Sequence, residues 1–231
     1  MSFLGEFLTN NLFSLFIAGG IIYVLISISM KIRQNWTKAE LYPQVAEQLG
    51  VPYKTKDKAL AEELKTLIGH GRSRNVSHAL FFKSETGRPI IWVDYYYVDE
   101  DIHDDTRTTR ERIVMALPLK PEDRIPTFTL RPKMLGEKIF SIGLRRIDSD
   151  ELGSFFNQNI SIFASKQSER DVQHYFETHT GLVGFCVEHA DYHLVSDGKW
   201  LVFFHPRNYI LPTMENVIAQ LDKAKDLLQQ I

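Results

Sequence analysis

The spacing of apolar positions divides the chain into three regimes. From Leu12 to Met30 the run LFSLFIAGGIIYVLISISM carries no charge and no polar face. As a helix it would be about 28 Å long, close to the thickness of a bilayer's hydrocarbon core. Glycine and serine are tolerated in such helices, so the pattern predicts a transmembrane helix over 12–30 behind a short extracytoplasmic leader, 1–11. A cleaved signal peptide would need a basic start and a small-residue cleavage site. Here Glu6 precedes the run without any Lys or Arg, and KIRQNW follows it.

The next regime is helical, and residues 31–76 are expected to form a juxtamembrane helical segment. Thr37 can cap one short piece, Pro43 suits the first turn of a second, and Gly50 can end it. In KDKALAEELKTLIG the residues Leu60, Leu64 and Leu67 share a helical face, with Gly69 as a stop.

From Ser77 onward the period falls to two, and residues 77–231 are expected to form an α+β domain with a mainly antiparallel sheet and flanking helices. Ser77–Lys83, Arg88–Val98 and Arg107–Leu119 are rich in β-branched and aromatic residues and read as a meander. Prolines 118, 121, 126 and 132 then break the chain, leaving PTFTLRP as an edge strand. Asn159–Ser165 reads as a strand, Ser168–Phe176 as a short helix, and Leu182–Val195 and Trp200–His205 as strands joined through Ser196-Asp197-Gly198. The last helix starts at Pro212, with Met214, Val217, Ile218, Leu221, Ala224, Leu228 and Ile231 at helical spacing. That stripe either packs on the sheet or awaits a partner helix; a coiled coil would need a longer heptad pattern.

Composition narrows the function classes. A net charge of −2 argues against a general nucleic-acid binder, which would carry a basic surface. The single cysteine, Cys186, excludes an intrachain disulfide and fits a reducing compartment. Lys31, Arg33 and Lys38 all follow the apolar run, so the positive-inside rule puts the N-terminus outside and the C-terminal domain in the cytoplasm, at the inner membrane. Trp36 lies where an interfacial aromatic is favoured.

Four stretches, GHGRSRNVSHAL around Gly71, GRPIIWVDYYYV from Gly87, PTFTLRPKML from Pro126, and ERDVQHYF followed by GKWLVFF, resemble a family of uncharacterised bacterial proteins with one N-terminal membrane helix and a soluble domain. The run Phe128-Thr129-Leu130-Arg131-Pro132 is the most specific of them. This chain departs from that pattern at His174, where members often carry a basic residue. The resemblance implies topology and an α+β domain, and no activity.

The candidate chemistry is sparse. His189 and His193, with Asp191 and Glu188 nearby and His174 and His179 upstream, are metal-ligand types. On a strand, however, residues four apart stand about 13 Å from each other, too far for two direct ligands. The HExxH order is absent. The acid cluster Asp99, Glu100, Asp101, Asp104 and Asp105 lacks the glycine and closing glutamate of a calcium loop and reads as a solvated hairpin turn. The Gly69–Arg74 turn offers glycines and two arginines to a phosphate but no G-K-[ST]. Cys186 reads as a small buried hydrophobe. Arg107, Arg110 and Arg112 on one strand, next to Tyr95 to Tyr97 on its neighbour, are residue types that bind nucleic acid, but their proximity to the acid cluster makes cross-strand charge pairing the simpler expectation.

No catalytic, cofactor or metal residue is assigned on this basis, and no cofactor is expected. The sequence points to a membrane-integral, single-span interaction module with a protein partner and no nucleic acid. The alternative is a membrane-tethered enzyme with a metal or phosphate site at His189/His193/Asp191 or Gly69–Arg74.

Overall fold

Three long runs of alternating side chains between residues 72 and 118 set the layout, and the computed structural model of the chain pairs them in sequence order. It describes residues 22–24, 37–68, 72–100, 107–133, 143–147, 152–206 and 210–231. The chain divides into two compact units, Met1–Gln44 and Val45–Ile231. Residues 37–49 are helical throughout (α1), including Pro43, where two separate pieces were expected to meet. Gly50 ends the helix at a φ of 63°, a left-handed conformation that glycine adopts without a Cβ penalty. The Val51 N–H then donates to the Ala46 carbonyl at 3.0 Å.

The second unit is built on a nine-stranded sheet in the order β1-β2-β3-β4-β9-β8-β5-β7-β6. The strands are β1 Tyr53–Thr55, β2 Arg72–Lys83, β3 Pro89–Glu100, β4 Arg107–Pro118, β5 Phe128–Pro132, β6 Leu144–Ile147, β7 Ile160–Ser165, β8 His193–Ser196 and β9 Trp200–Phe204. Neighbours pair antiparallel throughout. The β8–β9 hairpin closes on Asp197-Gly198. Gly198 takes a φ of 83°, and Asp197 Oδ1 accepts from the N–H groups of Lys199 and Trp200 at 2.9 and 2.8 Å.

Helix α2 (Lys58–Ile68) covers one face. Its Leu60, Leu64, Leu67 and Ile68 join Val93, Val114, Val195 and Phe204 in one buried cluster. The other face carries α3 (Ser154–Asn159), α4 (Glu169–Thr178), α5 (Thr180–Glu188) and α6 (Met214–Gln229). There Phe128 of β5 meets Phe176 of α4 edge-on at 5.0 Å, and Phe203 of β9 lies 5.4 Å from Phe185 of α5. Thr213 caps α6 by accepting from the Asn216 N–H at 3.3 Å.

Several expectations are corrected. Among the described residues no helix is long and apolar enough to cross a membrane. The longest, α6, has 16 residues and carries Glu215, Asp222, Lys223, Lys225 and Asp226, whereas a span needs about 20 mostly apolar ones. Within 12–30 only Ile22, Tyr23 and Val24 are described; they are helical and exposed. The remainder of the expected transmembrane helix lies outside the described residues. The assignments built on it, an integral single-span membrane protein at the inner membrane with its N-terminus outside and a cytoplasmic domain, are therefore withdrawn.

The stretch Leu182–Val195 is not one strand. It folds as α5, a turn and the short β8. Leu182, Phe185 and Cys186 are buried at helical spacing while Val183 and Val187 are only half-buried, so tertiary packing overrides their β-branched preference. Strand β5 is not an edge either. It lies between β8 and β7, with Pro126 ahead of it and Pro132 as its last residue, so neither proline removes a mid-strand donor. β1 is a strand within the stretch expected to be helical; its three residues add only a short edge beside β2.

One ion pair ties the β2–β3 turn to the turn after β4. Arg88 Nη2 donates to Asp123 Oδ2 at 2.6 Å, with the two side chains 13% and 11% exposed. The same carboxylate oxygen accepts from the Lys120 N–H at 2.8 Å. Asp123→Ala would leave a largely buried guanidinium without its carboxylate, at a cost of about 2–4 kcal/mol. Chemical denaturation of the full chain should show that loss as a lowered midpoint with an unchanged slope.

Candidate functional site

The residues singled out from sequence are separated by the fold. His189 follows α5 as its C-cap, and its ring meets Phe185 at 4.6 Å and Phe203 at 5.9 Å on the helix-covered face. His193 stands in β8 with its ring 5.1 Å from Phe204. Successive strand residues project to opposite faces, so Phe203 and Phe204 mark opposite sides of the sheet, and the two histidines stand on opposite sides with them. Asp191 Oδ2 is 3.4 Å from Nε2 of His205. Among the described residues no three His, Cys, Asp or Glu side chains gather as a metal set.

The other candidates are likewise dispersed. Arg72 and Arg74 belong to β2, and Gly69–Gly71 lie outside the described residues. Asp99 and Glu100 pair in register with Thr108 and Arg107, while Asp101, Asp104 and Asp105 lie outside the described residues. Cys186 is buried in α5, and burial pushes its thiol well above the ordinary range, which makes it inert as a nucleophile. His174 is exposed on α4; the ring of His179 stacks on Tyr175 at 4.1 Å.

What the sheet does bring together is a row on the face that α2 covers in part. Val114 pairs with Phe204, Phe204 with His193, and Arg131 with Ser161. The β5–β8 register runs from Phe128↔Ser196 to Leu130↔Leu194, and one step further along it Arg131 comes alongside His193. Arg112, two residues before Val114, shares that face. Its guanidinium sits 5.3 Å from the ring centroids of both Tyr97 and Phe204, and Nη1 donates to the Ile68 carbonyl at the end of α2, 3.3 Å away. Arg131 lies over the Phe163 ring at 4.3 Å. The result is His193 between two arginines, each packed against an aromatic ring. Packing of this kind restrains a guanidinium's position.

Electrostatics follow from that arrangement. Burial first, then the charges of Arg112 and Arg131 and the nearby His205, push the His193 imidazole down to about 3. His193 is therefore neutral in the fold at neutral pH. The unfolded chain takes up that proton below about 6.5, so this group's stabilising contribution is complete above pH 6.5 and declines as pH falls towards 3. An NMR titration of the His193 ring should show no protonation step between pH 8 and 5. A midpoint near 6.5 would mean that the ring is neither buried nor faced by the two guanidiniums.

Sequence reasoning weighed Arg112 but missed Arg131 and Ser161. The available signal was alternation: in FTLRP and ISIFAS, Thr129, Arg131 and Ser161 fall on the opposite parity from Phe128, Leu130 and Ile162, yet lie deep enough that Ser161 is 1% exposed. Arg112 packs against Tyr97 and Phe204; the acid cluster expected to pair with it lies in part outside the described residues.

Comparison with known proteins adds little to this geometry. No protein-family model and no curated protein matches the chain. The crystal structure of the mycobacterial trehalose monomycolate transport factor A, TtfA, is similar over 83% of this chain and 94% of that one, with a TM-score of 0.49 and 13% identity. The likeness is distant.

Proposed function

We propose that this chain is an interaction module without a reaction of its own, and that it holds an acidic segment of a partner protein on the Arg112–His193–Arg131 row. One observation carries the reading: two arginines, packed against aromatic rings, flank a neutral imidazole on one sheet face. Ordered arginines of this kind lose little entropy on engaging a carboxylate and recognise it in a fixed orientation. A local basic row in a chain of net charge −2 suits an acidic segment better than a long polyanion, which would demand a broad basic surface.

The test is a binding isotherm of fluorescent hexaglutamate with the full chain. Replacing Arg112 and Arg131 together by methionine keeps the apolar stems over their rings and removes the charge. The double variant should bind at least about tenfold more weakly, a change of about 1.4 kcal/mol. Arg145→Met, on an exposed residue one position before Arg146 and on the opposite sheet face, should change little. Binding that is indifferent to the double replacement sinks the proposal.

A further inference from the structure

Helix α2 ends on the basic row. The last carbonyls of any helix have no donor within it and take partners from outside. The Ile68 carbonyl, at the C-terminal end of α2, accepts from Arg112 Nη1 at 3.3 Å. The same guanidinium is 5.3 Å from the Phe204 ring centroid, and Phe204 shares a buried cluster with Leu67 and Ile68. An arginine at a helix C-terminus meets both the bare carbonyls and the helix's partial negative charge, about half an elementary charge. That is the electrostatic pattern of an acidic ligand, supplied here by the chain itself.

Resting on the reading that the row takes an acidic segment, we propose that the last turn of α2 is an autoinhibitory contact: the Ile68 carbonyl holds Arg112 in the free protein, and the partner's carboxylate takes its place. A carboxylate brings a full negative charge against the helix end's half, so it is the stronger acceptor for a guanidinium. The displaced carbonyl loses its cap and the last turn loosens. Leu64 and Leu60, earlier on the same face, stay buried and keep the helix on the sheet. The coupling is reciprocal, so a change that loosens this turn strengthens binding and one that tightens it weakens binding. Thr66 is the place to apply such a change. It is exposed on the last turn and stands outside the buried cluster, so its replacement acts through the stability of the helix.

The experiment titrates fluorescent hexaglutamate into the full chain and into its Thr66→Gly and Thr66→Ala variants at one ionic strength. The glycine variant should bind about fivefold more tightly than the alanine variant, with the natural chain between them. That ratio is what a helix-propensity difference of about 1 kcal/mol converts to. Hydrogen exchange adds a second readout: at saturating hexaglutamate the Leu67 and Ile68 amides of the natural chain should exchange faster, and the Leu64 amide should not. Equal affinity of the two variants, or the reverse order, overturns the autoinhibitory contact and leaves the acidic-partner reading standing. Unchanged or slower exchange at Leu67 and Ile68 overturns it too. Absence of hexaglutamate binding in all three chains removes the reading and the contact together.

Discussion

Leu227→Asp is expected to abolish the cooperative unfolding transition of the chain, whereas Leu221→Asp should only lower it. Leu227 is fully buried and lies on the line Val217, Gln220, Ala224, Leu227 and Leu228 that α6 presents to the sheet. Replacing a fully buried leucine forfeits about 2–5 kcal/mol from its contacts and cavity alone. An uncompensated carboxylate in the same place adds several kcal/mol more. That sum is comparable to the entire stability of an ordinary domain, about 5–15 kcal/mol. Leu221 is only half-buried, so its aspartate keeps access to water, and about 1–2 kcal/mol is the expected loss. Circular dichroism during thermal unfolding of the two variants separates the cases. Equal effects would place the buried line of α6 elsewhere.

The second large effect belongs to Phe176. It is fully buried in α4, edge-on to Phe128 at 5.0 Å, with Tyr175 at 5.9 Å and Phe156 at 6.4 Å. These rings join β5, α3 and α4. Phe176→Ala should therefore cost about 3–5 kcal/mol. For a chain of this size that corresponds to a melting temperature lower by about 6–20 °C. Phe176→Leu, which retains most of the volume, should recover more than half of the loss. A small effect of the alanine variant would mean that the α4–β5 contact is not a structural joint.

These two residues also show what was legible in the sequence. The apolar period of α6 announced a helix, and its type and approximate limits follow from that period alone. The expected stripe, however, includes Ile218 and Leu221 and omits Gln220 and Leu227, while the buried line is rotated so that Gln220 lies inside and Ile218 is 42% exposed. Gln220 is accommodated because its Nε2 donates to the Tyr192 hydroxyl at 3.0 Å. A polar residue with a distant partner cannot be recognised as core from hydropathy. The long meander was equally readable, because β2, β3 and β4 are joined by short connections and their alternation is regular. The stretch from Leu182 to Val195 was not, because a short apolar run has no decisive period and valines weigh towards strand.

The basic row was hidden for a different reason. Arg112, His193, Arg131 and Ser161 come from four strands, and the neighbours of β5 are β8 and β7 rather than β4 or β6. No local pattern reveals that arrangement. His189 and His193 look like a pair in sequence, and the turn between α5 and β8 separates them onto opposite faces. The run Phe128-Thr129-Leu130-Arg131-Pro132, the most specific part of the resemblance, contains Arg131.

The location of the binding surface is the central claim, and NMR mapping tests it most directly. Isotopically labelled full chain would be titrated with unlabelled hexaglutamate while the side-chain signals of Arg112, Arg131 and His193 and the ring signals of Phe163 and Phe204 are followed. The two arginine Nε–H signals and the His193 ring should move together, with Phe163 and Phe204 following, and Lys223 and His189 on the opposite face should stay still. Shifts concentrated at Lys223 and His189, with the row unmoved, would contradict the account.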